Sequence, residues 1–164
     1  MSHDARAVAN VMIEKGKKDG NPLTPLQIIK LTYLCQAWML AMFDRKMFRQ
    51  DVQAWEYGPV IADVYHGLKE NGRRPVSNPI PAYTQDFDDD QEHILDEVYR
   101  VYGNWSGGQL SRLTHRPGSP WYKTKQEDPL SRHVTIDNDR IREYYAGVLS
   151  ESEKGSSTRR DTRS

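Results

Sequence analysis

Five histidines, His3, His66, His93, His115 and His133, are the side chains in this sequence best suited to metal ligation or to proton transfer near neutral pH. None stands in an HxH, HExxH or H-x3-5-H arrangement, the spacings that bring two imidazoles to one metal ion, so no metal site is expected. His115 is the most informative of the five. Leu113-Thr114-His115 closes a helical stretch, and Pro120-Trp121-Tyr122 follows a Pro117-Gly118 turn. An imidazole at a helix C-terminus interacts favourably with the carbonyl dipole, a structural duty that competes with catalysis. With a carboxylate such as Glu56 or Asp63 beside it, the same ring would form a proton-transfer pair. Cys35, the single cysteine, falls in the most apolar stretch of the chain, where a thiol behaves as a small hydrophobe and not as a thiolate nucleophile. One cysteine also excludes an intramolecular disulfide and a multi-cysteine zinc site. Gly107-Gly108 at a helix start offers free backbone N–H groups to a phosphate, yet no P-loop or dinucleotide fingerprint surrounds the pair, and Ser106 can cap the helix unaided. No catalytic residue and no cofactor is assigned from these patterns.

The elements that must position these residues are mostly helical. Ala5, Val8, Ala9, Met12 and Ile13 recur at i, i+3, i+4, i+7 and i+8, one stripe of a first helix that ends between Gly16 and Gly20. Thr24, Pro25 and Gln27 form a capping signal, with Leu23 and Ile28 spaced as a hydrophobic staple. From Leu26 to Phe43 apolar residues surround the helix except near Gln27, Lys30 and Gln36, which predicts a buried central helix. The stretch from Gln50 to Tyr57 reads as a short extended segment, and Gly58-Pro59 reads as the opening of a third helix carrying Ile61, Val64, Tyr65 and Leu68 on one face. Residues 73–87, with three prolines, predict a loop. Asp88-Asp89-Asp90 precedes a fourth helix, Ser106 to Gln109 caps a short fifth, and Asp137 precedes a last one, with Ile136 and Ile141 placed to staple it. The fold class is mainly α: an irregular single domain of about six helices around the central one, with at most a two- or three-stranded β element, over residues 1–149. Beyond Ser150 no aliphatic or aromatic side chain remains, which predicts a disordered tail over 150–164.

Composition narrows the function classes. Twenty-three basic and 23 acidic residues cancel, so no overall field exists to hold a polyanion. Arg73-Arg74, Arg112, Arg116 and Arg159-Arg160 are scattered among acids and read as solvated surface, and the first two helices do not form a convincing DNA-binding helix-turn-helix. A nucleic-acid partner is disfavoured. The balance hides polarity: residues 51–100 hold 11 acids against 4 bases, a region able to steer a basic partner. No apolar run reaches the roughly 20 residues of a membrane span and the first ten residues lack a signal-like apolar core, so the expectation is a soluble, cytoplasmic protein without a membrane partner.

The densest constellation is Ala54-Trp55-Glu56-Tyr57-Gly58-Pro59-Val60, followed by Tyr65. Upstream stands Lys30-Leu31-Thr32-Tyr33, and downstream stand Leu110-Ser111-Arg112-Leu113-Thr114-His115 and Pro120-Trp121. Taken in this order, the blocks resemble the SocA-like Panacea domain, also known from phage-associated GepA-like proteins, over residues 5–149. Thr32 stands where many relatives carry an apolar residue. The resemblance implies an antitoxin that neutralises a toxin encoded beside it, and a cognate toxin protein as partner. It leaves open whether the toxin is masked or is delivered to a cellular protease by the antitoxin acting as adaptor. The motif residues Trp55, Tyr57, Gly58, Pro59, Tyr65, His115 and Trp121 are the candidates for binding or for holding the scaffold. Their residue types favour the scaffold: Trp55 and Tyr57 would fill the core under the extended segment, Gly58 would permit a close backbone approach and Pro59 would start the third helix. An enzyme that reverses the toxin's modification through His115 and a nearby carboxylate is the alternative. A carboxylate on His115 in an open pocket favours it; packing of His115 on Trp121 weighs against it.

Overall fold

Thr24 sets the start of the helix around which the rest of the chain is arranged. Its hydroxyl accepts the Gln27 N–H while the Gln27 side chain accepts the Thr24 N–H at 2.8 Å, and Pro25 occupies the first helical position. Helix α2 then runs Pro25–Phe43, with the staple residues Leu23 and Ile28 both fully buried. The computed structural model describes residues 3–82 and 86–161, with side chains to residue 152. By length and composition α2 is apolar enough to cross a membrane, which the run-length expectation did not anticipate. Its apolarity has a cause in the fold, because α1 (Ala5–Lys18), α4 (Asp89–Tyr102), α5 (Gly107–Thr114) and α7 (Asn138–Asp161) all pack on it. Cys35 is fully buried there, and burial pushes its thiol well above the ordinary range.

The start signals at α4, α5 and α7 act as the sequence predicts. Asp88 and Gln91 cap α4 reciprocally, Ser106 and Gln109 do the same for α5, and Ile136 and Ile141 are buried together at the start of α7. Gly107 has a packing reason in place of a phosphate, since a Cβ there would lie 2.8 Å from the Leu26 Cδ2. Helix α7 continues past Leu149 to Asp161. Residues 162–164 and the side chains from 153 onward, within the expected tail, lie outside the described residues, as do 83–85 of the expected loop.

Two parts of the chain depart from the sequence reading. Gly58 and Pro59 do not open a helix. They belong to strand β2 (Gly58–Val60), which pairs antiparallel with β1 (Gln53–Trp55) in the register Ala54 to Pro59, and helix α3 (Ala62–Leu68) starts only after Ile61. Pro59 fits because β2 is an edge strand, where a missing N–H is tolerated. The long connection 115–136, where the sequence reading places no element, contains helix α6 (Pro120–Glu127) and strand β3 (Val134–Thr135), which joins β1 on its other side. Ser119 caps α6 and Pro120 starts it, but only Pro120 and Thr124 are buried, so no apolar period marked the helix. The described residues thus hold seven α-helices and a sheet of order β2-β1-β3.

Candidate functional site

Lys30 is the one cation buried in the middle of α2. It is 1% exposed, and its Nζ donates to the Pro59 carbonyl at 2.9 Å and, at 3.4 Å, to that of Tyr57. No carboxylate pairs with it among the described residues, and burial lowers its ammonium to about 7. The lysine therefore ties the central helix to the β1–β2 hairpin through backbone oxygens. Gly58 makes room for this contact. Its φ is +123°, and a Cβ at this position would lie 2.7 Å from the Lys30 Nζ.

Two residues from the following helices close on the same hairpin. His115 ends α5, where its own N–H donates to the Ser111 carbonyl, and its ring lies 5.3 Å from that of Trp121. The His115 Nδ1 is buried without a partner, 3.7 Å from the point a Gly58 Cβ would occupy. Burial first, and the Lys30 charge second, hold its imidazole below the usual histidine value. Trp121 Nε1 donates to the Trp55 carbonyl at 2.6 Å, which pins the end of β1 to α6. Neither proposed carboxylate reaches His115: Asp63 accepts from the Gln50 Nε2 at 3.1 Å, and exposed Glu56 makes no hydrogen bond to the ring. No group of three potential metal ligands is gathered among the described residues.

The hairpin also borders a cleft of about 920 Å³. Trp55, Tyr57 and Tyr65 line it, with Leu26 and Ile29 of α2 on one side and the segment Pro129–His133 on the other. Trp55 is half-buried, not sealed in the core. His133 stacks on it at 4.3 Å, Tyr65 meets it edge-on at 4.8 Å, and its Nε1 donates to the Gln53 side chain. Tyr57 is 74% exposed at the hairpin tip, which corrects the expectation that it fills the core. The structure so divides the seven motif residues. Trp55, Tyr57 and Tyr65 line the cleft, while Gly58, Pro59, His115 and Trp121 surround the Lys30 contact and fix the hairpin. Sequence reasoning missed Lys30 as a site residue, although a lone lysine inside an otherwise apolar helix was a signal. It also missed Leu130 and His133, which no period or motif marks.

Four of the 11 acids in the region read as a steering field are paired with neighbouring cations. Asp88 and Asp90 pair with Arg45, Asp96 with Lys15 and Glu97 with Arg100.

The family model described as antitoxin SocA-like, Panacea domain, matches residues 28–122, a span that contains Lys30 and all seven motif residues. Antitoxin SocA of Caulobacter vibrioides (strain NA1000 / CB15N) is 30% identical over 132 residues, covering 73% of this chain and 69% of its own. No solved structure matches the chain. The blocks that meet at the hairpin lie inside the matched span, and the likeness to SocA extends beyond it over most of both chains: the protein belongs to the SocA-like antitoxins that carry the Panacea domain.

Proposed function

We propose that this protein is the antitoxin of a toxin–antitoxin pair and that it neutralises a toxin encoded by the neighbouring gene through direct protein–protein binding. The observation that carries this reading is the hairpin itself: the block that matches the antitoxin family also presents half-buried and exposed aromatic rings to an open cleft. Tyrosine and tryptophan held rigidly at a surface are the side chains that contribute most to protein interfaces. Trp55 is held in this way by His133, Tyr65 and Gln53. The packing of His115 on Trp121, with no carboxylate on the ring, favours binding over the proton-transfer alternative.

The test is co-expression with the adjacent reading frame. Binding predicts growth rescue together with recovery of a stoichiometric complex from the same cells. Rescue without any complex, and with a toxin target that returns to its unmodified state, would replace this reading by the enzymatic one. Toxin half-life in those cells separates the two forms of binding: an unchanged half-life assigns masking, and a shortened one assigns delivery to a cellular protease.

A further inference from the structure

The cleft beside the hairpin has a charge that the neutral composition conceals. Lys69, Lys125 and Arg132 stand around it, Lys30 lies in its wall, and Glu56 is the single acid among the described residues that line it. Elsewhere Arg6 and Arg49 pair with Asp4, Arg45 with Asp88, Arg140 with Glu127 and Arg142 with Asp44, while Arg73, Arg74, Arg112 and Arg116 make no ion pair among the described residues. Lys69 and Arg132 have no such partner among the described residues, and Lys125 donates only to the Ser131 carbonyl, at 3.0 Å. Cations gathered at one cleft raise its local positive potential, which favours the approach of an anionic partner.

Apolar surface gathers at the same place. Of the seven large hydrophobic side chains exposed among the described residues, four line this cleft: Leu26, Tyr57, Tyr65 and Leu130, the last 94% exposed. An aliphatic side chain that open to water gains nothing from the fold. The cleft's volume is at the upper end of what small ligands fill, and Lys30 is the one fully buried charged side chain among the described residues that line it, the other cations being exposed or half-buried.

We propose that this cleft receives an acidic segment of the toxin, one that sets an aromatic or aliphatic anchor against Trp55, Tyr65 and Leu130 and places carboxylates against Lys69 and Arg132. This proposal rests on the direct-binding reading above and names the surface and the chemistry by which it occurs. The segment's anchor covers the exposed hydrophobic side chains, and its carboxylates complete the unpaired cations. Single-stranded nucleic acid offers rings and charge as well, but its uniform phosphates match a long basic track, and this chain carries only a local cluster within a neutral whole.

The experiment uses the full chain and the purified product of the adjacent gene. Lys69→Glu combined with Arg132→Glu, and separately Leu130→Asp, alter exposed side chains; Lys46→Glu, an exposed lysine outside the cleft, is the control. Circular dichroism checks that each variant is folded. The cleft variants are expected to bind the toxin about tenfold or more weakly, the charge pair with a flatter salt dependence, while the control binds as the parent does. Among overlapping 15-residue peptides of the toxin, those retained by the parent and lost by the cleft variants are expected to be acidic with an apolar anchor. If the parent binds the toxin and the folded cleft variants bind it equally well, the cleft assignment is overturned and direct binding stands. If the parent rescues growth yet forms no complex, direct binding falls and the cleft assignment with it. A labelled oligo-dT that binds the parent and is lost in the cleft variants, with toxin binding unchanged, assigns the cleft to nucleic acid and overturns the proposal.

Discussion

Raising the pH from neutrality should stabilise this protein, and Lys30 is the reason. Its ammonium is taken out of water and given two carbonyl oxygens but no counter-charge, which lowers it to about 7 from the ordinary lysine value of 10.5. Between those two values the unfolded chain carries a proton that the folded chain does not, so stability rises with pH by up to about 1.4 kcal/mol per unit. Below about 7 both states hold the proton and the dependence vanishes. From about pH 7 to about pH 8.5, allowing for the half-protonated start, the gain is about 1.6 kcal/mol, or roughly 3 to 6 °C in thermal midpoint for a domain of this size. Buried Cys35 acts with the opposite sign, because burial raises its folded value and only the unfolded thiol ionises as the pH approaches 9. The difference between the parent and Lys30→Met removes that contribution. Methionine fills the same space without a charge, although it leaves the Pro59 carbonyl without its donor. Urea unfolding at half-unit steps of pH is the assay. The parent should gain about 1.6 kcal/mol on the variant across the window; parallel profiles would refute the claim that Lys30 loses its proton inside the fold.

The other predictions concern the hairpin and the chain end. Gly58→Ala is expected to cost about 2 kcal/mol in urea unfolding, because alanine resists a φ of +123° and its Cβ meets the Lys30 Nζ; a loss under about 0.5 kcal/mol would show that the hairpin shifts freely. Trp55→Ala should cost about 2 kcal/mol, less than the roughly 3 to 5 of a fully buried ring, and should weaken toxin binding in a pull-down from co-expressing cells. Full binding by a folded variant would remove Trp55 from the interface. His115→Gln should remain folded and keep full growth rescue, since an enzyme would lose about a hundredfold or more in rate; a folded, toxin-binding variant that fails to rescue restores the enzymatic alternative. Deleting residues 150–164 should move the thermal midpoint by less than about 2 °C, because the segment has no apolar side chain to dock.

How far the fold was legible depended on whether the decisive interaction was local. Thr24, Asp88 and Ser106 cap helices through residues three positions away, so their patterns carried the whole physical event and the structure repeats it. Gly58-Pro59 has the form of a helix start, but its conformation is set by pairing with Ala54 and by Lys30, 29 positions upstream of Pro59. Helix α6 failed to show for a related reason: it presents little apolar surface of its own and is held by the Trp121 bond to β1 and by Arg140 of α7, which reaches Thr124 and Glu127. The seven motif residues were visible as types, yet their division between cleft and scaffold depends on how α3, α5 and α6 meet the hairpin, through contacts between residues far apart in sequence.

That division bears on how one scaffold can serve against a toxin. Gly58, Pro59, His115, Trp121 and Lys30 hold the hairpin through backbone carbonyls and tight approaches that depend little on any partner. The cleft is different in kind. Its rim residues Lys69, Leu130 and Arg132 are exposed, make no contact that the fold needs, and lie in a 3₁₀ turn and a loop, so they can change without loss of the hairpin. On the proposed cleft reading, rigid rings at the centre supply contact area at low entropic cost, and replaceable charges at the edge set which partner is accepted. It follows that exchanging the rim residues alone, with Trp55 and Lys30 untouched, should alter which toxin is bound while urea unfolding stays within about 0.5 kcal/mol of the parent. A rim exchange that unfolds the domain, or one that leaves partner choice unchanged, would mean that recognition resides elsewhere on the surface.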